Sequence, residues 1–193
     1  VFAQLMMKQH LLLAISVCLL ACAMAVPVRF GSGVNLAGLE FGSAIPGTAG
    51  TDFFIPTSAE VDYYWNLGLR HFRIPFMWER IQRSLGGALD STYSGYVNTL
   101  ANYIISKGGT VVLDPHNYAR YNGAIVGASG SGVTAANLLD LWTRLAAIYG
   151  SHEQYVIFGL MNEPNSMSTA TWWSVAQTVV TGLRNAGYKN TIT

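Results

Sequence analysis

Short apolar runs and longer segments with a helical repeat alternate along this chain. The apolar runs are rich in β-branched and aromatic residues, which is typical of strands, and three of them reach a proline near their end. Between the runs, apolar residues recur at every third or fourth position, as on one face of a helix. The pattern predicts strands over residues 29–36, 70–76, 110–114 and 155–161, with the opening of a fifth strand at 191–193.

Capping residues and glycines mark the ends of four predicted helices. Thr57 and Glu60 form a capping box before the first helix, and Thr134 can cap the third. The fourth helix is expected to start at Thr169 or Thr171. Glycines close the helices. The predicted apolar faces are Val61, Tyr64 and Trp65; Val97, Leu100, Ala101, Ile104 and Ile105; Leu138, Leu141, Trp142, Leu145 and Tyr149; and Trp172, Ala176, Val179 and Leu183.

Strand and helix in strict alternation predict a parallel α/β architecture. A doubly wound sheet would carry a phosphate-binding loop after its first strand. Gly31 and Gly33 suggest such a loop, but a third glycine and a helix directly behind them are missing. We therefore favour a (β/α)8 TIM barrel. Such barrels need ~250 residues, so this chain is expected to hold about the first four βα units and the start of strand five.

The N-terminal residues predict a secretory signal peptide. A short basic region is followed by an apolar run and a small-x-small cleavage site, over residues 6–25. The apolar run is shorter than the ~20 residues of a membrane span. Residues 1–5 precede the first methionine and are interpreted as upstream read-through. The mature secreted, extracellular protein would comprise residues 26–193 and lack both cysteines, Cys18 and Cys22.

Composition and charge limit the classes of partner that this protein is expected to bind. Hydrophobic residues make up 51% of the chain and charged residues 11%, which argues against disorder. The 11 Lys and Arg face 10 Asp and Glu, and loss of Lys8 with the signal would make the two equal. A neutral protein has no electrostatic reason to bind nucleic acid or an anionic membrane. An uncharged partner is expected.

Polar side chains follow three successive predicted strands, where the C-terminal strand ends of a barrel carry its chemistry. Arg73 lies in the second strand, His116 follows the third, and Asn162 and Glu163 follow the fourth. An acidic group beside an apolar wall is a candidate proton donor. Taken alone, Asn162 and Glu163 could equally open an ordinary turn. Their expected proximity to Arg73 and His116 at one rim favours a catalytic site.

The remaining motifs limit the reaction class to carboxylate chemistry. The sequence has no metal-binding His or Cys spacing, no Gly-x-Ser-x-Gly elbow and no phosphate loop, so no cofactor and no metal is expected. Three aromatic residues near the rim, Trp78, Tyr118 and Tyr121, could stack on sugar rings or serve only in packing.

Four sequence blocks together resemble glycoside hydrolase family 5, the cellulase family A, and within it secreted endo-β-1,4-glucanases. They are Gly33-Val-Asn-Leu-Ala-Gly-Leu-Glu-Phe-Gly42, Phe72-Arg-Ile-Pro-Phe-Met-Trp-Glu-Arg80, Asp114-Pro-His-Asn-Tyr-Ala-Arg-Tyr121 and Phe158-Gly-Leu-Met-Asn-Glu-Pro164. Their order and spacing across residues 28–193 fit the family. The resemblance implies a (β/α)8 barrel that hydrolyses internal β-1,4-glucosidic bonds with retention, using two glutamates.

The resemblance also implies roles for individual residues. Glu163 matches the general acid/base, and Asn162 matches the residue that hydrogen-bonds the sugar 2-hydroxyl next to the cleaved bond. Arg73 matches the arginine that keeps the nucleophile ionised, and His116 matches a histidine of the cleavage subsite. Glu40 and Tyr118 lie in family blocks and are given a substrate-binding or supporting role. The nucleophilic glutamate of the family follows the seventh strand and has no counterpart in this chain.

The expected partner is a β-1,4-linked polysaccharide, either cellulose or a soluble β-glucan. The same motifs serve β-mannanases and other β-glycanases of the family, so this alternative stays open. A non-catalytic carbohydrate-binding product is a second alternative, because the chain lacks the nucleophile. The resemblance implies a monomer for the full-length enzyme.

Overall fold

The computed structural model describes residues 31–193, and it alternates strands with helices as the sequence pattern predicts. The predicted read-through at 1–5, the signal peptide at 6–25 and the first residues of the predicted first strand lie outside the described residues. In chain order the elements are β1 (Gly33–Asn35), α1 (Ser58–Asn66), β2 (His71–Phe76), α2 (Trp78–Ile81), α3 (Ser91–Ser106), β3 (Thr110–Pro115), β4 (Arg120–Tyr121), β5 (Ala124–Ile125), α4 (Ala135–Tyr149), a 3-10 turn (Gly150–His152), β6 (Val156–Phe158) and α5 (Thr169–Asn185).

The main sheet is parallel and follows chain order, β1-β2-β3-β6. Arg73 of β2 pairs with Asn35 of β1 on one side and with Val112 of β3 on the other. Leu113 of β3 pairs with Phe158 of β6. A helix crosses over between each pair of strands. Sequential parallel strands joined in this way are the building units of a (β/α)8 barrel, as predicted.

The predicted fifth strand joins this sheet through a parallel bridge between Ile192 and Phe158. The Phe158 amide donates to the Thr191 carbonyl at 2.8 Å, and the Thr193 amide donates to the Phe158 carbonyl at 2.9 Å. The fourth strand is shorter than the predicted 155–161: its regular pairing with β3 covers only Val156–Phe158. Beyond it, the Gly159 and Leu160 amides still donate to carbonyls of the neighbouring strands.

Local capping explains where the helices begin. Thr57 and Glu60 form the predicted capping box of α1, and Thr134 forms another with Asn137 at the start of α4. Helix α5 begins at Thr169, but its cap is Ser168, whose hydroxyl accepts from the Thr171 amide at 3.0 Å. Each cap satisfies amides that have no partner inside the helix.

The hydrophobic core fills the space between the sheet and the helices. Phe72 and Ile74 of β2 have no exposed surface, and neither do Val111 and Leu113 of β3. The predicted faces of α3 and α4 cover them, and the indole of Trp142 donates to the Leu160 carbonyl at 3.1 Å. Within residues 31–193, no helix combines the length and apolar character needed to cross a bilayer.

Candidate active site

Arg73 is the centre of a polar cluster at the C-terminal edge of the sheet. Its guanidinium donates to the Asn35 Oδ1 at 2.9 Å and to the Asn162 Oδ1 at 2.6 Å, and it forms an ion pair with the Asp114 Oδ2 at 2.7 Å. These partners come from β1, from the end of β3 and from the segment after β6. The single side chain of β2 therefore connects three other strand ends; the sequence predicted that the ends of β2, β3 and β6 share one rim, and the structure adds that of β1.

Asp114 is the buried anion of this cluster, with 3% of its surface exposed. Its Oδ2 contacts the Arg73 guanidinium and lies 2.9 Å from the His116 Nδ1. Burial raises the pKa of Asp114 above its usual value, against the lowering effects of the hydrogen bond to His116 and the charge of Arg73. The effect of burial thus outweighs the two lowering effects on the pKa of Asp114.

This balance predicts how pH changes the effect of Asp114→Asn on stability. Because the pKa of Asp114 is raised on folding, its contribution to folding is complete below the unfolded value of 3.8 and is lost as pH rises through the folded pKa. Asparagine does not titrate. The free energy of unfolding of the wild type, relative to the variant, should therefore fall as pH rises from about 4 to 7. Denaturant unfolding across this range measures it, and a difference that grows with pH would contradict it.

His116 is oriented by partners on both ring nitrogens. The Nδ1 lies 2.9 Å from the Asp114 Oδ2 and 3.4 Å from an Arg73 nitrogen. A neutral ring with its proton on Nδ1 would donate to Asp114 and leave Nε2 as an acceptor. The hydroxyl of Tyr118 lies 3.3 Å from that Nε2, and the two rings meet edge to face at 5.3 Å between centroids. Tyr118 is 38% exposed, so its ring edge is available at the rim.

Asn162 is buried, and its amide orientation is fixed by Arg73. An arginine side chain has donors only, so the atom that faces it must be the carbonyl oxygen. The Nδ2 group is therefore directed elsewhere, and it is buried without a hydrogen-bond partner among the described residues. A buried donor without a partner costs about 1–3 kcal/mol.

Glu163 lies beside Asn162, and its side chain is exposed. Its backbone has a φ of 35°, in the left-handed region that disfavours most side chains. Its carbonyl accepts a hydrogen bond from the Asn165 Nδ2 at 3.1 Å. Within residues 31–193 its carboxylate has no hydrogen-bond partner. Arg73 contacts the neighbouring Asn162, and the Glu163 carboxylate itself is exposed to solvent.

Glu40 is half-buried in the loop after β1, where its carboxylate accepts from the Gly38 amide at 2.7 Å. This loop is held by Arg80, which has no exposed surface. The Arg80 guanidinium donates to the carbonyls of Leu39 (2.9 Å), Phe41 (2.7 Å) and Ala44 (3.1 Å). Glu40 is thus bound within its own loop and is not part of the Arg73 cluster.

Two of the three aromatic residues considered for sugar stacking serve in packing. Trp78 has no exposed surface and Tyr121 is 5% exposed, and their rings meet edge to face at 5.1 Å. Trp78 opens the short helix α2, where its indole donates to the Gln82 side chain, and the Tyr121 ring packs against it. Of the three, only Tyr118 presents a ring to solvent.

Sequence reasoning assigned no role to two members of the cluster, Asn35 and Asp114. Asn35 gave no signal beyond its place at the end of β1. Asp114 did give one, since a carboxylate inside an apolar strand, two residues before a histidine, calls for a cationic or hydrogen-bonded partner. Within residues 31–193, no three His, Cys, Asp or Glu side chains are grouped closely enough to hold a metal ion.

Comparison with known proteins assigns this chain to a family. Residues 29–193 match the model of the family described as Cellulase (glycosyl hydrolase family 5). Endoglucanase EG-II of Hypocrea jecorina is 38% identical over 175 residues, which cover 83% of this chain and 41% of that protein. Endoglucanase 1 of Saitozyma flava is 37% identical over 190 residues, which cover 92% of this chain and 54% of that protein.

Solved structures agree with these matches. The structure of XacCel5A in complex with cellopentaose has a TM-score of 0.78 at 41% identity and covers 83% of this chain and 50% of that one. Cel5A (EG2) of Hypocrea jecorina has a TM-score of 0.73 at 35% identity, over 84% of this chain and 53% of that one. This chain thus spans about half the length of the proteins it matches. It belongs to the cellulase family, glycosyl hydrolase family 5.

Proposed function

We propose that residues 26–193 are the N-terminal half of the catalytic domain of a secreted endo-β-1,4-glucanase, which hydrolyses internal β-1,4-glucosidic bonds with retention. The observation that carries this proposal is the pair after β6. There Arg73 fixes the Asn162 amide, and the neighbouring Glu163 carboxylate is exposed and unbound within the described residues. A bound, oriented amide beside a free carboxyl group suits a sugar hydroxyl and a glycosidic oxygen, respectively.

Asn162 is proposed to bind the hydroxyl next to the bond that is cleaved. Its Nδ2 is a buried donor without a protein partner, so a sugar oxygen would satisfy it without displacing an existing bond. Arg73 holds the amide oxygen, and the Asp114 carboxylate in turn holds Arg73. A hydrogen bond that is ready before the reaction contributes most where charge develops in the transition state.

Glu163 is proposed to act first as an acid and then as a base. It protonates the leaving oxygen while a second carboxylate attacks the anomeric carbon and the glycosidic bond breaks. The ionised Glu163 then takes a proton from water, which attacks the same carbon and breaks the glycosyl–enzyme bond. Two displacements restore the original configuration, and they need carboxyl groups about 5–5.5 Å apart.

The second carboxylate is proposed to come from a strand end beyond the four described here. Asp114 is buried and bound to Arg73 and His116, and Glu40 is bound to the Gly38 amide. Neither is free to form a covalent bond to sugar. The Arg73 side chain is 32% exposed and has donors to spare, so it can also stabilise an incoming carboxylate.

The substrate is proposed to be a β-1,4-glucan, because the relatives named above are endoglucanases and one solved neighbour holds cellopentaose. In the full-length protein, reducing ends should be released faster from carboxymethylcellulose than from galactomannan. Proton NMR of the first product should show the β-anomer before mutarotation. Faster galactomannan hydrolysis would favour the mannanase alternative, and binding without hydrolysis would favour a carbohydrate-binding product.

A further inference from the structure

Two irregular segments at the rim contain all of the strained backbone positions that are not glycine in residues 31–193. The segment after β3 has Tyr118, Ala119 and Asn122 at positive φ, and the segment after β6 has Glu163 and Ser166. Left-handed backbone costs of order 1–3 kcal/mol for each such residue and persists only where neighbouring contacts impose it. The contacts that impose the left-handed backbone at Glu163 therefore bear on the position of its carboxylate.

Arg120 connects these two segments. One guanidinium nitrogen donates to the Tyr118 carbonyl at 2.5 Å and to the Asn165 Oδ1 at 3.2 Å, and the other donates to the Asn165 carbonyl at 3.1 Å. The Asn165 Nδ2 then donates to the Glu163 carbonyl at 3.1 Å. Because Arg120 holds the Asn165 oxygen, the Asn165 amide is turned so that its nitrogen faces Glu163.

The base from which Arg120 reaches is itself fixed. The Arg120 amide donates to the Asn117 carbonyl at 2.8 Å, and the next residue, Tyr121, is buried with its hydroxyl on the Gln82 carbonyl at 2.9 Å. The Glu79 carboxylate, also buried, accepts from the Asn117 side chain and the Asn122 amide. These bonds anchor the segment after β3 to helix α2. Because the backbone of Arg120 is fixed in this way, its guanidinium can hold Asn165 in a defined place.

From this geometry we infer that Arg120 is a positioning residue for Glu163, an inference that rests on the proposed function. Acting through Asn165, it sets the backbone of the proton donor relative to Tyr118 and His116. Its acceptors on both segments are oxygens of the protein amides, and no carboxylate pairs with it among residues 31–193. Two nitrogens in a planar fork serve three acceptors on two segments, which a single ammonium group cannot reproduce.

Arg120→Met in the full-length enzyme tests the inference through the leaving group. An unactivated sugar needs a proton from Glu163 when the bond breaks, whereas a dinitrophenolate leaves without one. We expect kcat/KM for cellotetraose to fall about 100-fold, the scale of a misplacement by roughly 1 Å. For dinitrophenyl β-cellobioside it should change less than about 3-fold. Arg120→Lys should resemble Arg120→Met rather than the wild type.

Asn165→Ala and Arg144→Met complete the design. Asn165→Ala keeps the bond from Arg120 to Tyr118 but cuts the link to Glu163, so it should give the same substrate-dependent loss even if Arg120→Met fails to fold. Arg144 on α4, like Arg120, donates to a carbonyl of a distant segment, that of Gly86 at 2.8 Å, and it forms an ion pair with Asp140 in addition. Its replacement should leave the ratio of the two kcat/KM values unchanged.

Each outcome decides the matter. An equal loss on both substrates, or no loss on cellotetraose with Asn165→Ala, would overturn the inference while the active wild type upholds the proposed function. A wild-type enzyme inactive on both substrates would refute the proposed function and the inference with it.

Discussion

Glu163→Gln in the full-length enzyme should lower kcat/KM for cellotetraose about 10³-fold, within the range that a positioned acid contributes. Glutamine keeps the size of the side chain but carries no acidic proton. The exposed carboxylate has no hydrogen-bond partner in residues 31–193, so the substitution breaks no bond that stabilises the fold. Steady-state kinetics and the thermal unfolding temperature, measured on the same preparation, separate a chemical effect from an unfolded protein.

A substrate with a better leaving group tests the role of Glu163 as an acid more directly. With dinitrophenyl β-cellobioside, kcat/KM should stay within about 10-fold of the wild type, because bond cleavage then needs little protonation. The second step still needs a base, so kcat should fall more than kcat/KM. Glu40→Gln is a suitable control, since that carboxylate is bound within its own loop. A Glu163→Gln enzyme as active as the wild type on cellotetraose would reject the acid/base role.

Sequence patterns predicted the architecture well because its causes are local. The capping boxes at Thr57 and Thr134 lie in contiguous residues, and a hydroxyl three positions before a Glu or Asn acts in the same way in any fold. Alternation of strand and helix determined the parallel sheet for a similar reason, since a parallel pair needs a crossover. The cluster at the rim followed from that topology together with the polar residues at three strand ends.

The rest depends on contacts between segments far apart in sequence. The sequence suggests that Trp78 is an exposed aromatic residue at the rim, but its side chain is buried against the ring of Tyr121. Glu40 reads as a free acid, but its loop is held by Arg80, whose guanidinium donates to the Leu39 carbonyl 41 positions away. The bond from Arg120 to Asn165 joins residues 45 positions apart. Single-sequence patterns do not encode such pairs.

The second large effect is expected on stability, from Arg80→Met. Arg80 is fully buried, and its guanidinium satisfies the carbonyls of Leu39, Phe41 and Ala44 in one loop. It also stacks over the ring of Phe53, 4.7 Å from the centroid. Methionine fills much of the space but donates nothing, so the Phe41 and Ala44 carbonyls lose their partner, while the Leu39 carbonyl keeps the Tyr93 hydroxyl at 2.6 Å. At about 1–3 kcal/mol for each buried group left unpaired, partly offset by water entry, we expect a loss of roughly 4 kcal/mol.

Arg83→Met is the matched control, because Arg83 lies three residues further along the chain and is exposed. Its partner is Asp90 at 3.2 Å, a surface pair of the kind worth about 0–1 kcal/mol. Denaturant unfolding of the two full-length variants should thus differ by roughly 3 kcal/mol or more. Because Arg80 lies outside the Arg73 cluster, the folded Arg80→Met enzyme should keep the relative rates of the wild type on the two leaving groups. Equal stabilities of the two variants would mean that the buried guanidinium does not hold the loop after β1, and the rigid placement of Glu40 would then need another cause.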